Sequence, residues 1–111
     1  MSARLASGIW VSAYLTRLRL ADIPAYVTAR GDAEAGAVVV KVALLDGTAR
    51  ALERRSDLMS GARAWMLMAE GPEAEVDAML TRQRARDPDL WLIELEDRAG
   101  RTLLEEDGLS D

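Results

Sequence analysis

The feature that most constrains the fold is an apolar run that ends in a tight-turn signal and continues into a second strand-like segment. The run covers residues 37–45 and contains one charged residue, Lys41. Asp46-Gly47 follows it, and this dipeptide is typical of a two-residue hairpin turn because both residue types tolerate a positive φ. Residues 48–55 then run back. This stretch predicts a β-hairpin, and a hairpin requires a sheet to cover it.

The pattern of the run also predicts its surroundings. A strand that is apolar on both faces is typical of the inside of a sheet. A two-residue turn would place Val42 opposite Ala51, because hairpin register follows from loop length. The same register predicts one apolar face and a second, more polar face that carries Lys41, Arg50 and Arg54.

The rest of the chain supplies further elements. Apolar spacing and stop signals predict a helix that is capped by Ser7 and ends by Asp22, since Pro24 follows. A second helix is predicted to begin at Gly71-Pro72 and to end at Asp87. The remaining strands are predicted at residues 25–30, 63–70, 90–97 and 101–104.

These elements predict an α+β fold in the order α-β-β-β-β-α-β-β. We expect a mixed sheet of about five or six strands with two main helices packed on it. The strands before and after the second helix are predicted to be parallel neighbours. A chain of 111 residues forms one domain. We assign residues 1–104 to that domain and residues 105–111 to an acidic, flexible tail.

Composition excludes several classes of function. The chain contains no Cys and no His, which excludes disulfides, thiolate or imidazole zinc sites and a Ser-His pair, and no cofactor is predicted. The net charge of −5 disfavours nucleic-acid binding. If the protein bound nucleic acid, the binding surface would be the face with Lys41, Arg50 and Arg54. No leader peptide or membrane-spanning run is evident, so we expect no membrane association and a cytoplasmic protein.

The first candidate site is the loop of residues 31–36, together with Arg30. Two glycines bracket the carboxylates of Asp32 and Glu34. Carboxylates two residues apart in a loop can share a hard cation such as Mg²⁺. The simpler interpretation is a solvated connection whose glycines supply turn geometry.

The second candidate site is the end of the second helix. Arg82 and Arg86 share a helix face and could hold an anion, with Trp91 nearby as a flat surface. The simpler interpretation is that the arginines compensate the helix dipole and that Trp91 lies in the core.

The third candidate is a set of carboxylates on one predicted strand, Glu94, Glu96 and Asp97, of which Glu94 and Glu96 lie on the same face. Their separation of about 7 Å is within the range for acid-base chemistry. The favoured interpretation is the solvent-exposed face of a strand whose other face, with Trp91, Ile93 and Leu95, is buried.

Three segments together resemble a known family. They are SGIWVSAYL (7–15), IPAYVTARGDAEAGAVVVKV (23–42) and RQRARDPDLWLIELEDR (82–98). They resemble small alphaproteobacterial proteins grouped as domain of unknown function 1491, and the resemblance covers nearly the whole chain. It implies a bacterial cytoplasmic protein of a single domain, and it implies no reaction, cofactor or catalytic residue.

These observations favour a non-enzymatic binding or interaction module. Its partner would be a protein or a small anionic ligand, and a homodimer formed through edge strands is a further expectation. The alternative is a metal-assisted hydrolase or phosphate-ligand enzyme. That enzyme would bind a metal at Asp32 and Glu34 and an anion at Arg82 or Arg86, so it requires the loop and the helix end to meet.

Overall fold

The computed structural model describes residues 5–110, which form one five-stranded sheet with a helix packed on each face. Residues 1–4 of the predicted domain and Asp111 of the predicted tail lie outside the described residues. The α+β class is confirmed. In chain order the elements are α1 (Ser7–Leu20), β1 (Ala25–Ala29), β2 (Val38–Ala43), β3 (Thr48–Ser56), β4 (Arg63–Pro72), α2 (Glu73–Arg86) and β5 (Trp91–Glu96).

The strands lie in the order β1-β5-β2-β3-β4. β2 and β5 are parallel and the other neighbours are antiparallel, so the sheet is mixed and β2 lies at its centre, as its apolar pattern predicts. The prediction that β4 and β5 are parallel neighbours is wrong. β3 and β4 extend the sheet on one side of β2, which leaves the other side of β2 free to pair with β5.

Side-chain alternation along the strands gives each face its own core. On one face, called the α1 face, Val40, Val42 and Ile93 pack against Tyr14 and Leu18 of α1. The opposite face, called the α2 face, is covered by α2, whose buried residues are Val76 and Leu80, and its strand residues are Val39, Ala49 and Ala51. The predicted placement of both helices on the sheet is confirmed.

The hairpin register differs by one residue from the predicted one. Val42 lies opposite Arg50, and Ala51 lies opposite Lys41. The cause is a three-residue loop: the Leu44 N–H donates to the carbonyl of Thr48, 3.0 Å away, and the turn therefore lies within residues 45–47. A shift of one residue moves every side chain of β3 to the other face.

The strand predicted at residues 101–104 does not form. Leu103 has a φ of 61°, which is incompatible with an extended strand. The segment is held instead by a side chain of α1, because the Tyr14 hydroxyl donates to the carbonyl of Thr102 at 2.8 Å. Farther along, Leu109 is buried in the α1-face core. The flexibility of residues 105–111 stays a prediction, although Leu109 anchors this segment.

Neither helix of the described chain is long and apolar enough to cross a membrane.

Candidate functional site

The β1–β2 loop packs against the start of α1. Ser7 and Gly8 donate their backbone N–H groups to the carbonyls of Glu34 (3.2 Å) and Ala33 (2.8 Å). The first N–H groups of a helix have no partner within it, so the loop supplies that partner. The predicted role of Ser7 as N-cap is wrong: α1 begins at Ser7, and its hydroxyl donates to the carbonyl of Gly36 at 2.6 Å.

The fold accounts for the composition of this loop. A Cβ on Gly31 would lie 2.2 Å from the carbonyl oxygen of Asp89, and a Cβ on Gly36 would lie 2.3 Å from the same oxygen. Only glycine allows such a close backbone approach. The carboxylate of Asp32 accepts the backbone N–H groups of the residues two and three positions later, at 3.2 and 2.8 Å. Its first role is therefore to hold the turn.

Trp91 joins this loop to the beginning of β5. Its indole is buried, and Nε1 donates to the carbonyl of Asp32 at 2.8 Å. The guanidinium carbon of Arg30 lies 5.7 Å from the centroid of the ring, a distance typical of a cation–π contact. Trp91 thus lies in the core and also supports Arg30 at the surface.

The loop and the end of α2 meet, as the enzyme hypothesis requires, but the contact is made by Arg84. Its Nε donates to the carbonyl of Leu90 at 3.0 Å, and its Nη2 donates to the carbonyl of Arg30 at 2.9 Å. Arg82 and Arg86 are exposed, and their side chains make no hydrogen bond or ion pair within residues 5–110. Sequence reasoning overlooked Arg84 because it does not share the helix face of the other two arginines.

The carboxylates predicted to bind a metal are both exposed. Across residues 5–110, no group of three or more His, Cys, Asp or Glu side chains is arranged to hold a metal ion. Asp32 also already accepts two backbone N–H groups. Both N–H groups reach the same oxygen, Oδ2, and the two-carboxylate metal site at Asp32 and Glu34 stays a prediction.

The most unusual charged group in the structure is Lys41, which points to the α2 face from the central strand. Only 6% of its side chain is exposed. Its Nζ lies 2.7 Å from Glu73, 2.6 Å from Asp77 and 3.1 Å from Glu94. An ammonium group has three N–H donors, so each one has a carboxylate partner.

Lys41 lies at one wall of an open cavity of about 260 Å³, between α2 and the strands β5 and β1. We call this cavity the Lys41 groove. Its polar lining consists of Thr28, Lys41, Asp77, Thr81 and Glu94, and its apolar lining consists of Val39, Leu80, Leu92 and Ile93. The groove exists because α2 covers the β3–β4 side of its face and leaves β1 and β5 open.

Of the predicted strand carboxylates, Glu94 lines this groove and Glu96 does not. Glu94 was predicted to face solvent, but it lies beside Lys41 and its side chain is 29% exposed. Glu96 accepts a hydrogen bond from the Tyr26 hydroxyl at 3.0 Å. The two carboxylates therefore have separate partners and do not act as a pair.

The predicted basic face of the hairpin does not exist. Lys41 lies on the α2 face, whereas Arg50 and Arg54 lie on the α1 face, because the register differs by one residue. The guanidinium of Arg54 lies over the rings of Trp10 and Trp65, at 5.1 and 5.3 Å from their centroids. The three cations therefore cannot form one surface for nucleic acid.

Electrostatics fix the protonation of Lys41. Burial alone would lower the pKa of the ammonium group, but the hydrogen bonds that it donates to Asp77, Glu73 and Glu94 outweigh burial and raise the pKa well above its ordinary value. Lys41 therefore remains charged at neutral pH, and it cannot serve as a neutral nucleophile or base.

Comparison with known proteins places the chain in a family. A family model described as "Protein of unknown function (DUF1491)" matches residues 5–105. The chain belongs to the DUF1491 family. No curated protein matches it.

Solved structures of similar proteins show the same fold. A crystal structure of a DUF1491 family protein from Caulobacter crescentus CB15 shares 40% sequence identity, with a TM-score of 0.79 over 92% of this chain and 94% of that one. An NMR structure of a DUF1491 family protein from the same organism gives a TM-score of 0.81 at 40% identity, over 95% of this chain and 96% of that one. Protein Atu0922 from A. tumefaciens is 30% identical, with a TM-score of 0.71 over 85% and 86% of the two chains.

Proposed function

We propose that the protein is a non-enzymatic binding module that holds a small organic cation in the Lys41 groove. The observation that carries this proposal is the unequal charge at the wall of the groove. Three carboxylates surround the ammonium group at 2.6 to 3.1 Å. Asp77 and Glu94 line the groove together with Lys41, whereas Glu73 lies outside the lining, so the wall carries a formal charge of −1. A bound cation would offset the repulsion between these carboxylates.

The accessibility of the carboxylates supports this choice of ligand. The side chain of Asp77 is 51% exposed and that of Glu94 is 29% exposed, so both can accept further hydrogen bonds from a ligand while they hold Lys41. Leu80 and Leu92 supply apolar surface beside them. A short carbon chain that ends in an amine or guanidinium group matches both kinds of lining.

A binding role is favoured over catalysis by the state of the reactive groups. Lys41 stays protonated, and the sequence contains no Cys or His. One oxygen of the Asp32 carboxylate, Oδ2, accepts two backbone N–H groups of its own turn. A broad screen for hydrolytic turnover should find none. Turnover that disappears in Asp32→Ala or Glu34→Ala would contradict a non-enzymatic role.

Titration with 1,4-diaminobutane, followed by amide NMR shifts, tests the ligand class. We expect saturable shifts at Thr28, Thr81 and Leu92, and an affinity at least about tenfold lower in Asp77→Asn, which loses a charge-assisted hydrogen bond. Glu75→Gln is the matched control, because Glu75 is an exposed carboxylate on the same helix. Shifts that are absent from these residues, or that are equal in the two variants, would contradict the proposal.

A second candidate is the anion site predicted at Arg82 and Arg86, with Trp91 nearby. It is favoured by the absence of hydrogen-bond and ion-pair partners for Arg82 and Arg86 within the described residues. Titration with sodium sulfate at constant ionic strength would test it. Saturable shifts near Arg82 that are lost in Arg82→Ala, but kept in the exposed control Arg98→Ala, would support it.

The cytoplasmic location expected from the sequence belongs to the same proposal. Fractionation of the cells of a bacterium that carries the gene, with detection of the protein by antibody, would test it.

A further inference from the structure

The two edges of the sheet differ in their protection against pairing. β1 has five residues, follows Pro24 and contains a register shift between Val27 and Ala29. Short length, proline and irregular register are the usual devices that block pairing at an edge. β4 also has an irregularity, a bulge at Met68, but it has ten residues, and no proline interrupts residues 63–70. Within residues 5–110 it pairs only with β3.

The exposed edge is also apolar. Residues 64–69 (AWMLMA) carry no charge, and the side chains of Met66 and Leu67 remain 48% and 53% exposed. These neighbours point to opposite faces of the sheet, so the edge is apolar on both faces. A long apolar edge with unpaired backbone groups is a template for another strand.

We propose that β4 pairs in antiparallel fashion with β4 of a second copy of this chain. The two sheets then join into one continuous sheet across a two-fold axis. In such a pair a residue at the axis faces its own copy. The geometry points to Met66 at the axis, with Leu67 of each copy opposite Trp65 of the other.

Charge complementarity selects this register. β4 contains a bulge: Leu67 pairs with Leu52 and Ala69 pairs with Ala51, so Met68 is an extra residue. Arg63 lies three positions before Met66. Glu70 lies three positions after Met66 when the bulge is counted as one position. Glu70 of each copy therefore lies opposite Arg63 of the other.

Arg63 and Glu70 also point to the same face. They pair with Ser56 and Arg50 of β3, which are an even number of residues apart. One opposite-charge pair thus lies at each end of the apolar segment of residues 64–69. Glu70 has room for this contact, because its side chain is 58% exposed while it lies near Arg50.

The β3–β4 hairpin extends beyond the end of β2 along the direction of the strands. The last β3 residue paired with β2 is Glu53, and at the tip Leu58 and Met59 are 99% and 95% exposed. In the proposed register the tip of one copy runs past the end of β4 in the other. Contact there would remove these two apolar side chains from water.

Sedimentation equilibrium of the full chain tests the interface. We expect a dimer for the wild type and a monomer for Met66→Lys, because lysine at the centre of an edge strand opposes pairing. Val27→Lys makes the same kind of change on β1 and should leave the dimer intact. A wild type that remains monomeric at about 1 mM, or a dimer broken only by Val27→Lys, would overturn the proposal.

Charge exchange separates the interface from folding. Arg63→Glu alone places like charges opposite each other at both ends, and we expect a dissociation constant about tenfold higher. The double variant Arg63→Glu/Glu70→Arg should restore the affinity of the wild type. Circular dichroism should show that all variants fold. A folded double variant that dimerises no better than the single one would refute this register.

Discussion

Lys41 and Asp77 form an ion pair of 2.6 Å in which the lysine side chain is 6% exposed and the aspartate side chain is 51% exposed. The pair joins the central strand to α2. Two further carboxylates, Glu73 and Glu94, accept the remaining N–H groups. One buried cation therefore links β2, β5 and α2, and the stability of the α2 face depends on it.

We predict that Lys41→Met destabilises the protein although methionine fits an apolar site. The substitution leaves three neighbouring carboxylates without their cation. Removal of one partner from a buried ion pair costs about 3–5 kcal/mol, and the lower end applies here because the carboxylates are partly exposed and can hydrate.

Urea unfolding of Lys41→Met followed by circular dichroism measures this loss of free energy. The triple variant Lys41→Met/Glu73→Gln/Asp77→Asn is the control, since it removes most of the uncompensated charge and should recover part of the loss. A loss below about 1 kcal/mol in Lys41→Met would contradict the structural role of the cluster.

A second prediction concerns acid stability. The side-chain hydrogen bonds from Arg101, followed by its backbone N–H, hold the pKa of Asp97 below its ordinary value. A carboxyl whose folded-state pKa lies below the unfolded value stabilises the fold above the unfolded pKa, about 3.9, and loses this contribution as the pH falls through the folded pKa. Stability should therefore decline below about pH 4 in part because Asp97 takes up a proton.

Asp97→Asn removes this titration. We expect the variant to be less stable than the wild type at pH 7 and to depend less steeply on pH below about 4, as measured by urea unfolding at a series of pH values. Asp107→Asn changes an exposed carboxylate and should leave the slope unchanged. If the free energy of unfolding falls equally steeply with pH in the wild type and in Asp97→Asn below about pH 4, protonation of Asp97 does not cause the decline.

A third prediction follows from the close approach of the β1–β2 loop to Asp89. Gly36→Ala places a methyl group 2.3 Å from a backbone oxygen that cannot move without shifting the start of β5. We expect a loss of about 1–3 kcal/mol in unfolding free energy. In Gly8→Ala the nearest atom is 3.4 Å away and the site is helical, so the same change should be neutral or stabilising by up to about 1 kcal/mol. Equal effects of the two changes would contradict this account.

The sequence predicts most of the elements because their signals are local. Apolar alternation and the Asp-Gly dipeptide identify the hairpin, and Pro24 and Gly71-Pro72 bound the helices. The predicted register of the hairpin is wrong because the chain adopts a three-residue loop in place of the predicted two-residue turn. The carboxylate of Asp46 accepts the backbone N–H of Thr48 at 2.9 Å, and the chain adopts a three-residue loop in which Leu45 has a φ of 63°. A leucine in this conformation is not expected from local preferences.

The candidate site depends on distant contacts and was predicted only in part. The loop and the end of α2 meet as the enzyme hypothesis required, yet the residue that joins them is Arg84. Lys41 was recognised as the one charge in an apolar strand, but its environment was not. Its partners Glu73 and Glu94 lie 32 and 53 residues away in the chain, and no local pattern specifies that they converge.

The last prediction concerns the segment after β5. Leu109 is buried in the α1-face core, and its carbonyl accepts a hydrogen bond from Trp65 Nε1 at 2.8 Å. Leu109→Ala should therefore lower the free energy of unfolding by about 2–3 kcal/mol, because it leaves a cavity in the core. Leu58→Ala makes the identical change at the fully exposed hairpin tip and should have almost no effect. Urea unfolding compares the two variants. If both leave stability unchanged, residues 105–110 do not hold the docked position, and the flexible tail predicted from the sequence describes this segment better.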